Sequence, residues 1–168
     1  MVILRPTKKA MTRLGAALDR AEGATTSKLG DWYLNVVPTV AGELFVFVSS
    51  TTLLTVAIPV RETDIGKLFV LRVANLLAMI GISVNGIKRE LEHFRELRFA
   101  KPLSRSTQGS ASEIAFQLQM IAGKEAAPNK PLSLSKAEIY LSDIPHAPLA
   151  FASPRELAVE ILGGENPA

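Results

Sequence analysis

The stretch SRSTQGSASEIAFQLQ, residues 104–119, holds the residue types best suited to chemistry in this chain. It places a guanidinium, several hydroxyls and a glycine directly before an apolar helical pattern. The free N–H groups and the dipole at a helix N-terminus favour anions, and an arginine adds a two-pronged donor for phosphate or carboxylate. The stretch therefore predicts an anion- or partner-binding site, whose candidate residues are Arg105, Ser106, Thr107, Gly109 and Ser110.

A catalytic use of the same stretch is the alternative. A serine nucleophile needs a base and an orienting group, and the chain has only two imidazoles, at His93 and His146. Neither GxxxxGK[ST] nor GxGxxG occurs, so the common nucleotide-binding motifs do not match. We expect no catalytic residue, no metal site and no cofactor. An enzyme of phosphate or acyl chemistry that uses the Arg105–Ser110 loop at a helix N-terminus is the second hypothesis.

Positive charge is concentrated in two blocks of the sequence, although the net charge is only +3. One block lies in residues 1–20 and the other in residues 88–105, where Glu90, Glu92 and Glu96 are expected to form surface ion pairs. Such blocks are typical either of solvated helix faces or, if they meet in space, of one basic patch. We expect a protein or nucleic-acid partner, and the candidate contact residues are Lys8, Lys9, Lys88, Arg89, Arg98 and Lys101.

The composition indicates a folded domain in a reducing compartment. Hydrophobic residues make up 48% of the 168 residues, which is enough for a core, and there is no cysteine. The apolar stretches 44–60 and 68–84 are interrupted by polar or charged residues, whereas a membrane-spanning helix needs about 20 apolar residues. We expect one cytoplasmic domain over residues 1–163, no membrane contact, and a frayed tail at 164–168.

The elements that must position the candidate residues follow from periodicity and turn signals. A strand over Val2–Leu4, expected at a sheet edge, precedes a helix over residues 8–18. Residues 32–58 alternate as three short strands with tight connections, which predicts an antiparallel meander. Its middle strand is apolar on both faces and should be buried on both sides. Helices are expected over residues 63–80 and 84–98.

Three S-x-x-E sequences predict the starts of the last three helices. They begin at Ser110, Ser135 and Ser153, so residues 105–109 are expected to form a loop. The elements together predict an α+β fold, in which a small, mostly antiparallel sheet of three or four strands packs with five or six helices. The helix over residues 64–80 is apolar nearly all round, so homo-oligomerisation through it is a third hypothesis.

Several short words of the sequence also resemble a known family. Their order and spacing resemble a bacterial family, often plasmid- or mobile-element-associated, that is known only as a domain of unknown function. In that family a Met/Leu-Asn-Asp-like run follows the Arg-Ser word, whereas Ala111-Ser112-Glu113 stands here, so an Asn or Asp is missing from that site. The words are Thr7-Lys8-Lys9, Leu29-Gly30-Asp31-Trp32-Tyr33, Arg105-Ser106-x-x-Gly109-Ser110, Asp143-Ile144-Pro145 and Ser153-Pro154-Arg155-Glu156.

The resemblance implies one α+β domain in a bacterial cytoplasm and supplies no activity. Cations cluster in this chain without a catalytic constellation, which favours a non-enzymatic binding or regulatory module. The mobile-element association of the family suggests an inhibitor of host defence or a toxin–antitoxin-type component.

Overall fold

The computed structural model describes residues 1–19, 23–125 and 133–163, and these form five strands and six α-helices. The strands are β1 (Val2–Pro6), β2 (Trp32–Thr39), β3 (Gly42–Ser49), β4 (Thr55–Pro59) and β5 (Leu97–Phe99). The helices are α1 (Lys8–Leu14), α2 (Ile65–Met79), α3 (Val84–Leu91), α4 (Arg105–Glu125), α5 (Leu134–Ser142) and α6 (Pro154–Leu162). The α+β class is confirmed, and the tail predicted at 164–168 lies outside the described residues.

One mixed sheet contains the five described strands, in the order β4-β3-β2-β1-β5. The predicted meander is present, because β2, β3 and β4 pair antiparallel, with Phe45 between Val36 and Ile58. The prediction of a mostly antiparallel sheet of three or four strands is wrong in its detail, since β1 pairs parallel with both β2 and β5. Strand β1 therefore lies inside the sheet and not at its edge.

Strand β5 replaces the end of the helix predicted over residues 84–98. Helix α3 ends at Leu91, a 3-10 turn follows over Glu92–Arg95, and the chain then pairs with β1. The N–H of Val2 donates to the Glu96 carbonyl at 2.8 Å, and the N–H of Ala100 donates to the Leu4 carbonyl at 2.9 Å. Three residues are too few to show an alternating pattern, so the pairing is visible only in three dimensions.

Both faces of the sheet are covered by helices. Trp32, Leu34 and Phe47 point to one face and pack with apolar residues of α1, α2, α3 and α6, whereas Tyr33 and Val46 point to the other face, under α4 and α5. Both faces of β3 are buried, as expected. None of the described helices is both long and apolar enough to cross a bilayer.

The observed starts of α1 and α6 agree with the predicted ones, because in both helices a side chain next to the first turn caps it. Thr7 caps α1 by accepting from the N–H of Ala10 at 3.2 Å, although α1 ends at Leu14 and not at residue 18. At α6 the predicted capping box is confirmed. There Ser153 Oγ accepts from the N–H of Glu156 at 3.2 Å, and the Glu156 carboxylate accepts from the N–H of Ser153 at 2.8 Å.

The other two predicted capping boxes are wrong. Helix α4 begins at Arg105, because Ser104 Oγ accepts from the N–H of Thr107 at 3.1 Å. Ser110 is thus an interior residue of α4, and Ser135 likewise lies inside α5, which begins at Leu134. A serine three residues before a glutamate is also common within helices, so the S-x-x-E pattern by itself does not locate a helix start.

Candidate functional site

A cleft of ≈ 440 Å³ lies where the chain leaves β5 and enters α4. It combines residues of β1, of the segment after α1 and of the segment between β5 and α4. We call it the Arg5 cleft, and its lining residues are Ile3, Arg5, Leu18, Asp19, Gly23, Ala100, Lys101 and Leu103.

Arg5 forms the polar part of this cleft. Leu4 packs in the aromatic core, so strand alternation directs Arg5 to the opposite face of the sheet. Its side chain is only 6% exposed and donates to the Asp31 carboxylate and to the Lys101 carbonyl. A buried guanidinium requires such partners because its desolvation is costly. Arg5 therefore joins β1 to the residue before β2 and to the chain approaching α4.

Tyr33 positions the start of α4 above the sheet. It lies opposite Arg5 in the parallel pairing of β1 with β2, and its hydroxyl accepts from the N–H of Ser104 at 3.2 Å. Ser104 in turn caps the helix through Thr107. The N-terminus of α4, with the exposed Arg105, is thus held beside the Arg5 cleft.

The rim of the Arg5 cleft is both apolar and basic. Leu103 is 77% exposed and Leu18 is 40% exposed. Lys101 and Arg105 are also exposed, and neither forms an ion pair with another described residue. Asp19, the one acid among the described lining residues, accepts from the N–H of Phe99 at 3.0 Å. This combination of groups can hold an apolar side chain and, next to it, an anionic one.

The Arg105–Ser110 stretch forms the first turns of α4 and not the loop that the sequence predicts. Ser106 and Gly109 are exposed there, whereas Thr107 and Ser110 are half-buried. Within the described residues, no hydrogen bond joins either imidazole to Ser106 or Ser110.

The two imidazoles have other surroundings. Nδ1 of His93 lies 2.8 Å from the hydroxyl of Thr26. Burial lowers the pKa of His146, while the charge of Glu113 acts in the opposite direction. The hypothesis of a serine-based enzyme gains no support from these contacts.

The exposed cations of α1 and those of α3 lie at opposite ends of the sheet, although Arg5 and Lys101, one from each block, meet at the Arg5 cleft. Lys9 and Arg13 bind Glu43 at 3.2 and 2.7 Å, and the hydrogen bonds from Arg13 and then Lys9 lower the pKa of Glu43. Glu43 lies at the β2–β3 hairpin, whereas Arg89 lies beside Lys28, which precedes the other end of β2. At about 3.3 Å per residue, the length of β2 separates them by about 20 Å.

The remaining candidate cations do not bridge this gap. Lys8 and Lys88 are exposed on α1 and α3. Arg98 lies in β5 and not on a helix, and it is paired with Glu96 at 2.5 Å. The candidate cations on α1, α3 and β5 are therefore separate from one another, and Lys101 is the predicted contact residue that lines the Arg5 cleft.

A second cleft, of ≈ 350 Å³, lies beside α3 and has balanced charge. Two cations and two carboxylates are among its lining residues, which are Lys28, Gly86, Arg89, Glu90, Glu92, His93 and Leu162. Glu90 is buried and accepts from Ser27 Oγ and from the N–H groups of Lys28 and Leu29. The prediction that Glu90 forms a surface ion pair is wrong, because the carboxylate anchors the loop before β2.

Lys101 is the lining residue of the Arg5 cleft that the sequence analysis names as a candidate, and Arg5, Leu18 and Leu103 are among those that it misses. A signal for Arg5 exists, since an arginine within the apolar strand VILRP must either point to solvent or have buried partners. A similar signal exists for Glu90, which is four residues from both Gly86 and Phe94, two buried residues. Leu103 has no such signal, because a single leucine between Pro102 and Ser104 forms no pattern.

The conspicuous words of the sequence are joined by contacts. Asp31 of the Leu29–Tyr33 motif binds Arg5, and Tyr33 of the same motif binds Ser104, the residue before the Arg-Ser motif. Asp143 binds Arg155 through two contacts, of 2.9 and 3.1 Å, which joins the last two words. These contacts hold strand ends and helix starts in place. The residues of these short motifs therefore have a structural role around the clefts.

Residues 3–157 match the family model described as a domain of unknown function, DUF6933. The match covers most of the chain and agrees with the resemblance of its sequence words to a family known only in those terms. The comparison with curated proteins gives no match.

Proposed function

The chain belongs to the DUF6933 family, a domain of unknown function, and we propose that it is a non-enzymatic binding module. Its ligand is an acidic, partly apolar segment of a protein partner, which binds in the Arg5 cleft. One observation carries the proposal: the exposed side chains of Leu18 and Leu103 border the same cleft as the basic side chain of Lys101, and the exposed Arg105 follows Leu103 by two residues.

The apolar groups supply the affinity. Protein interfaces are centred on apolar side chains that become fully buried, with polar groups at the rim. Leu103 is 77% exposed in the free chain, and complete burial of a leucine contributes about 1.5–3 kcal/mol. The cleft volume of ≈ 440 Å³ accommodates a large apolar side chain of a partner beside it.

The charged groups supply the preference for an acidic partner. Lys101 lines the cleft, and Arg105 is the first residue of α4, where the helix dipole also favours a carboxylate. Arg5 is already held by Asp31 and by the Lys101 carbonyl. The floor of the cleft therefore needs no rearrangement on binding, which reduces the entropic cost of association.

A nucleic-acid partner fits the charge distribution less well. Affinity for nucleic acid grows with the number of phosphates that adjacent cations contact, whereas the exposed cations of α1 and those of α3 are separated by the length of β2. Protein binding is also what an inhibitor of host defence or a toxin–antitoxin-type component requires. That role, the bacterial mobile-element context and the cytoplasmic location stay predictions.

A selection of random displayed peptides against the whole chain tests the proposal. We expect enriched peptides in which a large apolar residue is flanked by Asp or Glu. Leu103→Asp should weaken their binding about tenfold or more, which corresponds to about 1.4 kcal/mol. Lys101→Glu should weaken the same peptides. Val84→Asp is the matched control, because Val84 is an exposed apolar residue of α3 that does not line the Arg5 cleft.

Two results would contradict the proposal. One is a set of selected peptides that bind wild type, Leu103→Asp and Val84→Asp equally well. The other comes from a titration with duplex DNA: tight binding that weakens steeply with salt and is lost in Lys101→Glu would indicate a nucleic-acid partner instead.

A further inference from the structure

An apolar pocket lies on the other face of the sheet, below the gap between α1 and α2. Its volume is ≈ 190 Å³, and it is separate from the Arg5 cleft. All of the described residues that line it are apolar: Leu4, Leu14, Leu34, Phe47, Ile65, Gly66, Phe69, Leu97 and Phe99. We call it the apolar pocket.

The apolar pocket has a buried floor and a half-exposed mouth. Leu34, Phe47 and Phe69 are completely buried, whereas Leu14 and Leu97 are half-buried. Strands β5, β1, β2 and β3 supply the floor with α2, and α1 contributes to one side. The apolar pocket therefore opens to solvent on one side, and the side chains around that opening are apolar.

Two local features leave this space unfilled. Helix α1 ends early, because Gly15 adopts a φ of 63° and its N–H closes the helix on the Met11 carbonyl. In the first turn of α2, Gly66 faces β5 without a side chain. A Cβ at Gly66 would lie 3.5 Å from Leu97 Cδ1, which is an ordinary contact, so a small side chain would fit there and a larger one would enter the pocket.

The apolar lining determines which kind of molecule can bind in the pocket. Protein interiors are close-packed, and voids larger than a water molecule are few. Water is a poor occupant here because the lining offers it no polar side chain. An engineered cavity of about 150 Å³ lined by Leu, Ile and Phe stays dry and binds benzene. The apolar pocket has a similar lining and a somewhat larger volume.

We propose that the apolar pocket is a binding site for a compact apolar group, about the size of one aromatic ring with one or two further carbons. Phe47 and Phe69 are stacked on each other, with ring centroids 4.4 Å apart and an angle of 23° between the rings, and both contribute to one wall of the pocket. A third ring, of Phe99, borders the pocket as well. Such a wall favours an aromatic ring by offset stacking or edge contacts, and a short alkyl chain has the same apolar chemistry.

The probes for the test are fluorobenzene, observed by fluorine NMR, and 1-hexanol, observed through the thermal midpoint of the chain. We expect saturable binding of at least one probe to wild type and to Gly66→Ala. Gly66→Leu fills the apolar pocket from α2, and its affinity should be at least tenfold lower than that of Gly66→Ala. Binding of fluorobenzene alone identifies a ring site, and binding of 1-hexanol alone identifies a chain site.

The site is overturned if neither probe binds wild type saturably, or if Gly66→Leu binds as tightly as Gly66→Ala. Circular dichroism establishes that each variant is folded. Should Gly66→Leu not fold, Leu14→Phe fills the mouth from α1, and undiminished binding by that variant overturns the site in the same way.

Discussion

At the scale of single residues, two buried charged groups hold the segment before β2 to the rest of the chain. Arg5 donates to Asp31 and to a backbone carbonyl, and Glu90 accepts from a hydroxyl and two backbone N–H groups. Buried charges of this kind are stable only while every partner is present. Removal of one partner should therefore lower the free energy of unfolding far more than removal of a surface charge does.

Glu90→Ala tests this at the loop before β2. The substitution removes the carboxylate that accepts from Ser27 Oγ and from the N–H groups of Lys28 and Leu29, so that the N–H of Leu29 retains only its contact with Ser27 Oγ. We expect a loss of about 2–4 kcal/mol of unfolding free energy. Glu90→Gln retains an acceptor oxygen and should lose less. Glu92→Ala is the matched control on the same surface, where Glu92 is exposed and the change should stay within about 0.5 kcal/mol. Urea unfolding measures all three, and equal losses at positions 90 and 92 would contradict the anchoring role.

His146 should make stability depend on pH. Burial lowers the pKa of its imidazole in the folded chain, against a smaller opposite effect of Glu113. The unfolded chain, with a histidine pKa of about 6.5, therefore takes up the proton more readily. The contribution is fully present above about pH 6.5 and is lost as the pH falls from there towards the folded pKa.

His146→Gln removes this titration. Urea midpoints measured from pH 8 to pH 5 should fall less steeply in the variant than in wild type. Parallel curves for the two chains would contradict the prediction.

At the scale of elements, α4 starts where Tyr33 and Ser104 hold it. Residues 105–110 are consequently helical, and Gly109 lies on the exposed side with no neighbouring atom within 4 Å of a Cβ built there. Gly109→Ala should therefore stabilise the chain by about 0.5–1 kcal/mol, because alanine has the higher helix propensity. A loss of stability in urea unfolding would indicate that this stretch is the loop expected from the sequence.

Gly30→Ala is the matched opposite case in the segment before β2. Gly30 has a φ of 77°, and a Cβ there would overlap Ser50 Oγ and Thr51 Oγ1. We expect this substitution to destabilise the chain by more than about 1 kcal/mol. Gly109→Ala and Gly30→Ala should therefore change the free energy of unfolding in opposite directions. A change in the same direction for both would contradict the conformations assigned to the two glycines.

At the scale of the whole molecule, self-association through the 64–80 helix stays a prediction. The outer side of α2 exposes Leu71 and Met79, with the polar Asn75 one turn from each. The exposed apolar surface of α2 is smaller than the sequence suggests, because Val70 packs against the core. Light scattering over a range of concentrations should give a mass that rises with concentration, and Leu71→Lys should reduce the rise. A monomer at every concentration would refute the interface.

The sequence by itself determined the features that depend on neighbouring residues. Alternation and tight turns specify the β2–β3–β4 meander, the apolar run of β3 specifies burial on both faces, and Ser153 with Glu156 specifies the start of α6. In each case the deciding contacts join residues that are close along the chain, so a local pattern is sufficient to predict them.

Only the tertiary structure decided the features that join distant segments. The parallel pairing of β1 with β5, the burial of Arg5 against Asp31 and the start of α4 over Tyr33 all bring together residues far apart in the chain. A three-residue strand has no measurable period, and a buried cation resembles a surface one until its partners are known. The Arg5 cleft and the apolar pocket arise from this packing, and therefore no local pattern predicts either of them.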